Sequence, residues 1–166
     1  MFSLAEFCLR IRRMSGQAVI AISIMEINKL RVKSPNMYTD KNVRILVVED
    51  SDTVRKLMVH ELEAAGFKNV VCVPDGKDAW ELLQNDKFDL ILSDWHMVHM
   101  SGLELLKLVR SSAGLRKTPF LMVTSVDEKD QVIAAASMGL NGYIIKPPEA
   151  KVLAEKIAAV LAANKK

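Results

Sequence analysis

Apolar and polar positions form two alternating kinds of stretch along most of the chain. From Val43 onward, five short runs rich in β-branched residues are separated by longer segments in which apolar residues recur every three or four positions. The runs are VRILVV, VVCV, DLILS, FLMVT and GYII. Because they are apolar almost throughout, we expect strands buried on both faces. The pattern predicts an α/β domain with a parallel five-stranded sheet, right-handed crossovers and helices on both faces.

Polar and glycine residues predict where several helices begin and end. Asp52 is the candidate N-cap of the first helix, and Gly66 follows its last apolar position. Asp75 and Ser101 are the corresponding N-cap candidates for the second and third helices. Asp52 therefore has a structural explanation that does not require chemistry.

Side chains able to bind ions or phosphate follow four of the five predicted strands. Since parallel strands end at the same edge of a sheet, we expect these side chains to meet there. Only the second strand, which ends at Val73 and Pro74, is followed by nothing polar. The candidates are Glu49 and Asp50 after the first strand, Asp94 after the third, Thr124 and Ser125 after the fourth, and Lys146 after the fifth.

Carboxylates grouped without a His or Cys partner favour a hard cation such as Mg²⁺, which takes one or two carboxylates together with phosphate oxygens. A carboxylate can also attack phosphorus and form an aspartyl phosphate. Asp94, alone on the central strand, is the candidate nucleophile. Mg²⁺ held by Glu49 and Asp50 would neutralise one phosphoryl oxygen, Lys146 a second, and the Thr124 hydroxyl could donate to a third.

Charge and composition exclude some classes of function. The net charge of +3 comes from residues 1–40, where six Lys/Arg face three Asp/Glu, so the remaining chain is neutral. A neutral body with scattered aromatic residues lacks the basic stripe of a nucleic-acid-binding protein. The two cysteines, Cys8 and Cys72, suit a reduced cytoplasmic protein, with each thiol buried rather than reactive. We therefore expect a cytoplasmic location.

Residues 1–41 differ from the rest and are interpreted as an N-terminal extension, partly disordered or helical. Its apolar run, AVIAISIM, is too short to span a bilayer, which needs about 20 residues. The charged segment EINKLRVK after the run disfavours a signal peptide. Two alternatives are a loosely docked amphipathic helix and an upstream extension whose true start is Met25 or Met37. The segment SPNMYTDKN is predicted to be a linker.

The stretches VVEDS, ILSDWHMVHMSGLELL, MVTS and GYIIKPP resemble the receiver domain of two-component response regulators, especially its chemotaxis members. The resemblance covers about residues 43–161 and assigns 42–166 to a receiver domain. It implies a flavodoxin-like sheet with strand order 2-1-3-4-5. It also implies a phosphoacceptor signalling protein rather than an enzyme, with at most self-phosphorylation and self-dephosphorylation.

The same resemblance implies a role for each site residue. Asp94 would be the phosphoacceptor and Asp50 a direct Mg²⁺ ligand, while Glu49 would act through metal-bound water. The backbone carbonyl of His96 would complete the ligands, and Lys146 would pair with the phosphoryl group. Thr124 and Tyr143 match a coupled switch that alters the face made by the fourth helix, fifth strand and fifth helix.

The departures from the family pattern concern residues around this site. Val98, Ser101, His96 and His99 replace residues that are common there, and Val126 stands two places after Thr124. The resemblance implies that His96, two places after Asp94, and Val126 help set the rate of self-dephosphorylation. Because apolar Val126 cannot orient water, we expect a rate different from that of a regulator with Asn and Glu at these two positions. The two histidines lack a third partner for a metal site.

The expected partners are a histidine kinase as phosphodonor and a downstream protein, with the flagellar motor switch as the leading target. No output domain follows the last predicted helix, so we expect a single-domain regulator. A phosphorelay shuttle or an adaptor in another pathway remains an alternative. A phosphatase of the haloacid dehalogenase type would place Asp-x-Asp directly after the first strand, and Asp50 and Asp52 have that spacing, but Asp94 on the third strand and the KPP ending fit a receiver far better. A flavodoxin-like binding protein would have a loop rich in Ser, Thr and Gly after the first strand, where EDSD would instead repel a phosphate.

Overall fold

The computed structural model describes residues 40–125 and 135–164. Within these ranges the chain has five strands and four helices, and a helix follows the first, second, third and fifth strands, as the periodicity predicts. The elements are β1 (Ile45–Val48), α1 (Asp52–Ala64), β2 (Val70–Val73), α2 (Gly76–Leu83), β3 (Leu90–Asp94), α3 (Gly102–Ser111), β4 (Phe120–Thr124), β5 (Gly142–Ile145) and α4 (Ala150–Asn164).

The five strands form one parallel sheet in the order β2-β1-β3-β4-β5. This confirms the α/β class and the strand order that the family resemblance implies. The winding reverses direction between β1 and β3, which lie side by side with Val48 opposite Ser93. The residues that follow these two strands therefore meet at the switch point of the sheet, where ligands bind in open α/β folds.

Apolar side chains form one buried layer on each face of the sheet. One layer lies under α2 and α3 and includes Leu46, Ile91 and Leu105; the other lies under α1 and α4 and includes Val47 and Leu92, among others. Strands β1, β3 and β4 are buried at every position, whereas β2 and β5 are only partly buried. The prediction of burial on both faces is therefore correct for the three inner strands and wrong for the two edge strands.

The helix ends confirm most of the predicted caps and correct one. Ser51, rather than Asp52, is the N-cap of α1, and its hydroxyl accepts from the Val54 N–H. Asp52 is the first helical residue instead, where its charge complements the helix dipole. Asp75 and Ser101 cap α2 and α3 as predicted. Gly66 follows α1 with a φ of 92°, the left-handed conformation in which glycine is favoured.

Several predictions concern residues outside the described ranges. These are most of the extension at residues 1–41, Cys8, Val126 and most of the predicted fourth helix between β4 and β5. Cys72 lies on β2 and is partly rather than fully buried. Among the residues described, no helix combines the length and apolar character needed to cross a membrane.

Candidate functional site

Glu49 and Asp50 extend β1 beyond its last paired residue, and Asp94 ends the neighbouring strand β3. Since Val48 is opposite Ser93, the next residue on each strand brings Glu49 beside Asp94. Glu49 is 1% exposed and Asp94 is 8% exposed, whereas Asp50 faces solvent. The apolar strands thus bury two carboxylates, which is unfavourable for charges that have no partner.

Oxygen atoms of Glu49, Asp50 and Asp94 all lie within 4.8 Å of one another. At this separation three negative charges repel strongly, so a cation is required to offset them. The Oε2 atom of Glu49 is buried, and no donor in the described part of the chain meets it with hydrogen-bond geometry. A buried, charged oxygen with unused capacity beside two further carboxylates fits a hard divalent cation.

Lys146 supplies positive charge to this group from the end of β5. Its Nζ lies 2.9 Å from Glu49 Oε2 and 3.0 Å from Asp94 Oδ1. Both contacts are ion pairs of a partly buried ammonium with buried carboxylates. The backbone N–H of Lys146 donates to the Thr124 carbonyl at 2.9 Å, which fixes the base of the side chain against β4.

Burial and charge pairing act against each other on these groups. Burial is the largest influence on Glu49 and raises the pKa of its carboxyl, even though Lys146 pulls that pKa down. Burial also disfavours the ammonium of Lys146, but its pairing with Glu49 and Asp94 outweighs burial and raises the pKa of Lys146. The lysine is therefore charged at neutral pH and offsets part of the acidic cluster.

Neighbouring residues along the chain hold the Asp94 carboxylate and its backbone in place. The N–H of Trp95 donates to Asp94 Oδ1 at 2.7 Å, the same oxygen that contacts Lys146. The Ser93 hydroxyl donates to the Asp94 carbonyl at 2.9 Å, and a Cβ at Gly102 would overlap that carbonyl oxygen. Close packing of α3 against the end of β3 therefore fixes the backbone that presents the carboxylate.

The remaining predicted residues lie around this group in different ways. Thr124 ends β4 beside Asp94's strand, is 1% exposed, and donates its hydroxyl to the Ser125 carbonyl at 3.3 Å. His96 is exposed in the loop after β3. Tyr143 lies on β5, half-buried against the layer under α2 and α3, with Lys156 Nζ 5.6 Å from its ring centroid. A cation contact of the His96 carbonyl and a Thr124–Tyr143 switch stay predictions.

Two side chains make contacts near the site that the sequence analysis did not predict. Arg55 on α1 donates to the Glu49 carbonyl, and His99 Nδ1 lies 2.7 Å from Asp75 Oδ2. Arg55 stands three places after Asp52, a spacing that indicates a helical ion pair but not a contact with the preceding loop. No local signal connects His99 to Asp75, which lies 24 positions earlier.

Comparison with known proteins identifies similar sequences over most of the described domain. Residues 45–158 match the family model of the response regulator receiver domain. Chemotaxis protein CheY of Pseudomonas aeruginosa is 41% identical over 118 residues, which span 71% of this chain and 95% of that protein. CheY-3 of Vibrio cholerae is 40% identical over 118 residues, with 71% and 91% covered.

Solved structures of similar proteins agree with the fold. Chemotaxis protein CheY4 of Vibrio cholerae has a TM-score of 0.66 at 31% identity, covering 72% of this chain and 98% of that chain. The bacteriophytochrome response regulator RtBRR has a TM-score of 0.66 at 33% identity, covering 72% and 78%. These similarities apply to the sheet and helices described above.

Proposed function

Because this chain belongs to the response regulator receiver domain family, we propose that it accepts a phosphoryl group on Asp94 from a histidine kinase. The phosphorylated protein then signals through a changed binding surface, in the cytoplasm. A receiver related to CheY proteins is a signalling protein, so we expect no turnover of a substrate beyond gain and loss of its own phosphoryl group.

The observation that carries this proposal is the convergence of three carboxylates and one ammonium at the switch point of the sheet. Oxygens of Glu49, Asp50 and Asp94 lie within 4.8 Å, and Lys146 contacts both Glu49 and Asp94. A structural role alone would be served by fewer charges, since burying each one opposes folding. Transfer of a highly charged phosphoryl group, in contrast, needs such charges held in place.

The transfer step uses one carboxylate oxygen of Asp94 as nucleophile. That oxygen forms a bond to phosphorus while the P–N bond of the phosphohistidine donor breaks. The electron pair of the broken bond leaves with the imidazole nitrogen, which takes up a proton from water. Trp95 N–H and Lys146 both contact Asp94 Oδ1, so we expect them to hold the carboxylate while its other oxygen attacks.

Mg²⁺ is the cation that best fits the oxygen ligands, and Asp50, Asp94 and the backbone carbonyl of His96 would hold it, with Glu49 acting through bound water. When bound, it would supply positive charge to the phosphoryl oxygens. Lys146 would pair with a second phosphoryl oxygen through its ammonium, and Thr124 would donate to a third. To do so, the Thr124 hydroxyl must exchange its present acceptor, the Ser125 carbonyl.

The proposed output is a change on the side of the domain where β5 and α4 lie. Phosphorylation adds about two negative charges and three acceptor oxygens at Asp94. Movement of Thr124 towards this group would leave room for Tyr143, now half-buried, to turn further inward. Because the relatives above are chemotaxis proteins, we propose a flagellar motor component as the target that reads this surface.

The test is phosphorylation by a small acyl phosphate with Mg²⁺, followed by the mass of the intact protein and mapping of the modified residue. We expect one added phosphoryl group that hydroxylamine removes, and its absence in Asp94→Asn. Asp86→Asn serves as the control because Asp86 pairs with Arg44 outside the carboxylate cluster. Labelling of Asp94→Asn equal to that of the parent protein would refute the assignment of the acceptor.

A further inference from the structure

Arg55 connects α1 to the backbone of the loop that carries the acidic pair. Its Nη1 donates to the Glu49 carbonyl at 2.6 Å and to the Asp50 carbonyl at a longer 3.5 Å. Its Nη2 donates to the side chain of Asp52. The side chain is only 20% exposed.

We propose that Arg55 is a positioning residue for divalent-cation binding, acting on the cation through the backbone of Glu49 and Asp50. This inference rests on the function proposed above, because it assumes that their carboxylates hold the cation. Groups that orient metal ligands without touching the metal commonly change metal affinity by 10- to 100-fold when they are removed.

The loop needs such a support because the strand ends before it. The Glu49 N–H still donates to the Val73 carbonyl at 3.2 Å, but the carbonyls of Glu49 and Asp50 lie beyond the paired part of β1. A guanidinium can contact both carbonyls and Asp52 at once through its rigid fork of donors. Fixing these carbonyls limits rotation of the backbone and hence the directions in which the two carboxylates point.

Positioning and simple electrostatics make opposite predictions for Arg55. A positive charge beside a cation site repels the cation, so removal of Arg55 by itself would strengthen binding. Loss of positioning would weaken it. The sign of the net change in affinity therefore shows which effect is larger, and Arg55→Lys, which keeps the charge, isolates the loss of positioning.

Lys56 offers a matched control on the same helix turn. Its Nζ lies 3.0 Å from Asp52 Oδ2, so it pairs with the same carboxylate as Arg55. Unlike Arg55 it is 79% exposed, and its ion pair is with that side chain, not with the Glu49 or Asp50 backbone. Lys56→Met removes one positive charge nearby and leaves the support of the loop in place.

The experiment is a titration of the full chain with MgCl₂, followed by the fluorescence of Trp95 in a Trp80→Phe background. Trp95 is the useful reporter because its N–H donates to Asp94. We expect Arg55→Met to weaken Mg²⁺ binding about tenfold or more. Arg55→Lys keeps the charge but loses the fork, so it should also weaken binding, whereas Lys56→Met should leave binding unchanged or slightly tighter.

Two outcomes would overturn the inference: Arg55→Met that binds Mg²⁺ as tightly as the parent or more tightly, or Arg55→Lys with unchanged affinity. Free energies of unfolding measured without Mg²⁺ identify a variant that is simply unfolded; if Arg55→Met is, Arg55→Lys decides. Failure of the parent protein itself to bind Mg²⁺ would instead refute the proposed function, so the two failures are distinguishable.

Discussion

Replacing Lys146 with Met removes the ammonium that contacts the buried carboxylates and should lower the free energy of unfolding. Lys146 Nζ lies 2.9 Å from Glu49 and 3.0 Å from Asp94, and Glu49 is 1% exposed. At an effective dielectric constant of about 20, each contact of this length represents roughly 5 kcal/mol of Coulomb attraction before desolvation is subtracted. Removing one partner of a buried pair typically destabilises a protein by about 3–5 kcal/mol.

The loss of stability should depend on pH because Glu49 can take up a proton. Burial raises the folded-state pKa of Glu49, so this residue stabilises the fold most below its unfolded pKa of about 4.3 and loses that contribution as pH rises through the folded pKa. Lys146 opposes this shift, and without it the pKa rises further. The folded pKa of Lys146 is itself raised, so its contribution persists from pH 5 to pH 8.

We expect Lys146→Met to lower the free energy of unfolding by about 3 kcal/mol at pH 8, at the lower end of the range for a broken buried pair. The loss should become smaller at acid pH, below the raised pKa of Glu49, because protonated Glu49 no longer needs the ammonium and only the pairing with Asp94 and the packing of the lysine stem are lost. The measurement is urea denaturation with chelator present, since a divalent cation would substitute for the missing charge.

Two further variants complete this test. Glu49→Gln in the Lys146→Met background should recover much of the stability lost at pH 8, because it removes the unpaired buried charge. Lys151→Met, at an exposed position of α4, should leave stability nearly unchanged. A loss of equal size at pH 8 and at acid pH, or no recovery with Glu49→Gln, would refute the electrostatic role of Lys146 in the carboxylate cluster.

Three other substitutions test the supports around the site. Gly102→Ala should impair phosphorylation of Asp94 in the acyl phosphate assay, because the added Cβ would overlap the Asp94 carbonyl; unchanged labelling would contradict this. Gly66→Ala should destabilise the fold by about 1 kcal/mol in urea, because φ is 92°. Asp75→Ala should cost about 1 kcal/mol at pH 7. Burial raises the pKa of Asp75, but hydrogen bonds from the start of α2 and from His99 outweigh burial and lower it. The loss of stability in Asp75→Ala should therefore shrink as the pH falls through that lowered pKa. A loss that stays constant down to acid pH would refute this explanation.

The sequence by itself determined the elements and most of the chemistry at their ends. Strand runs and helical periodicity depend on which residues are neighbours along the chain, so the elements and caps such as Asp75 and Ser101 can be inferred locally. Parallel strands also end at one edge, which is enough to expect Asp94 and Lys146 near each other. The one error among the caps, Asp52 in place of Ser51, reflects adjacent residues that can both serve as N-caps.

Only the tertiary structure decided how these residues contact one another. Periodicity does not say which strand lies beside β1; the order came from the family resemblance, and the pairing of Val48 with Ser93 makes Glu49 and Asp94 neighbours. The edge positions of β2 and β5, and the guanidinium of Arg55 on the carbonyl of Glu49, likewise follow from packing. Such contacts join residues through the sheet and helix faces, and their geometry depends on the whole core rather than on any local stretch of sequence.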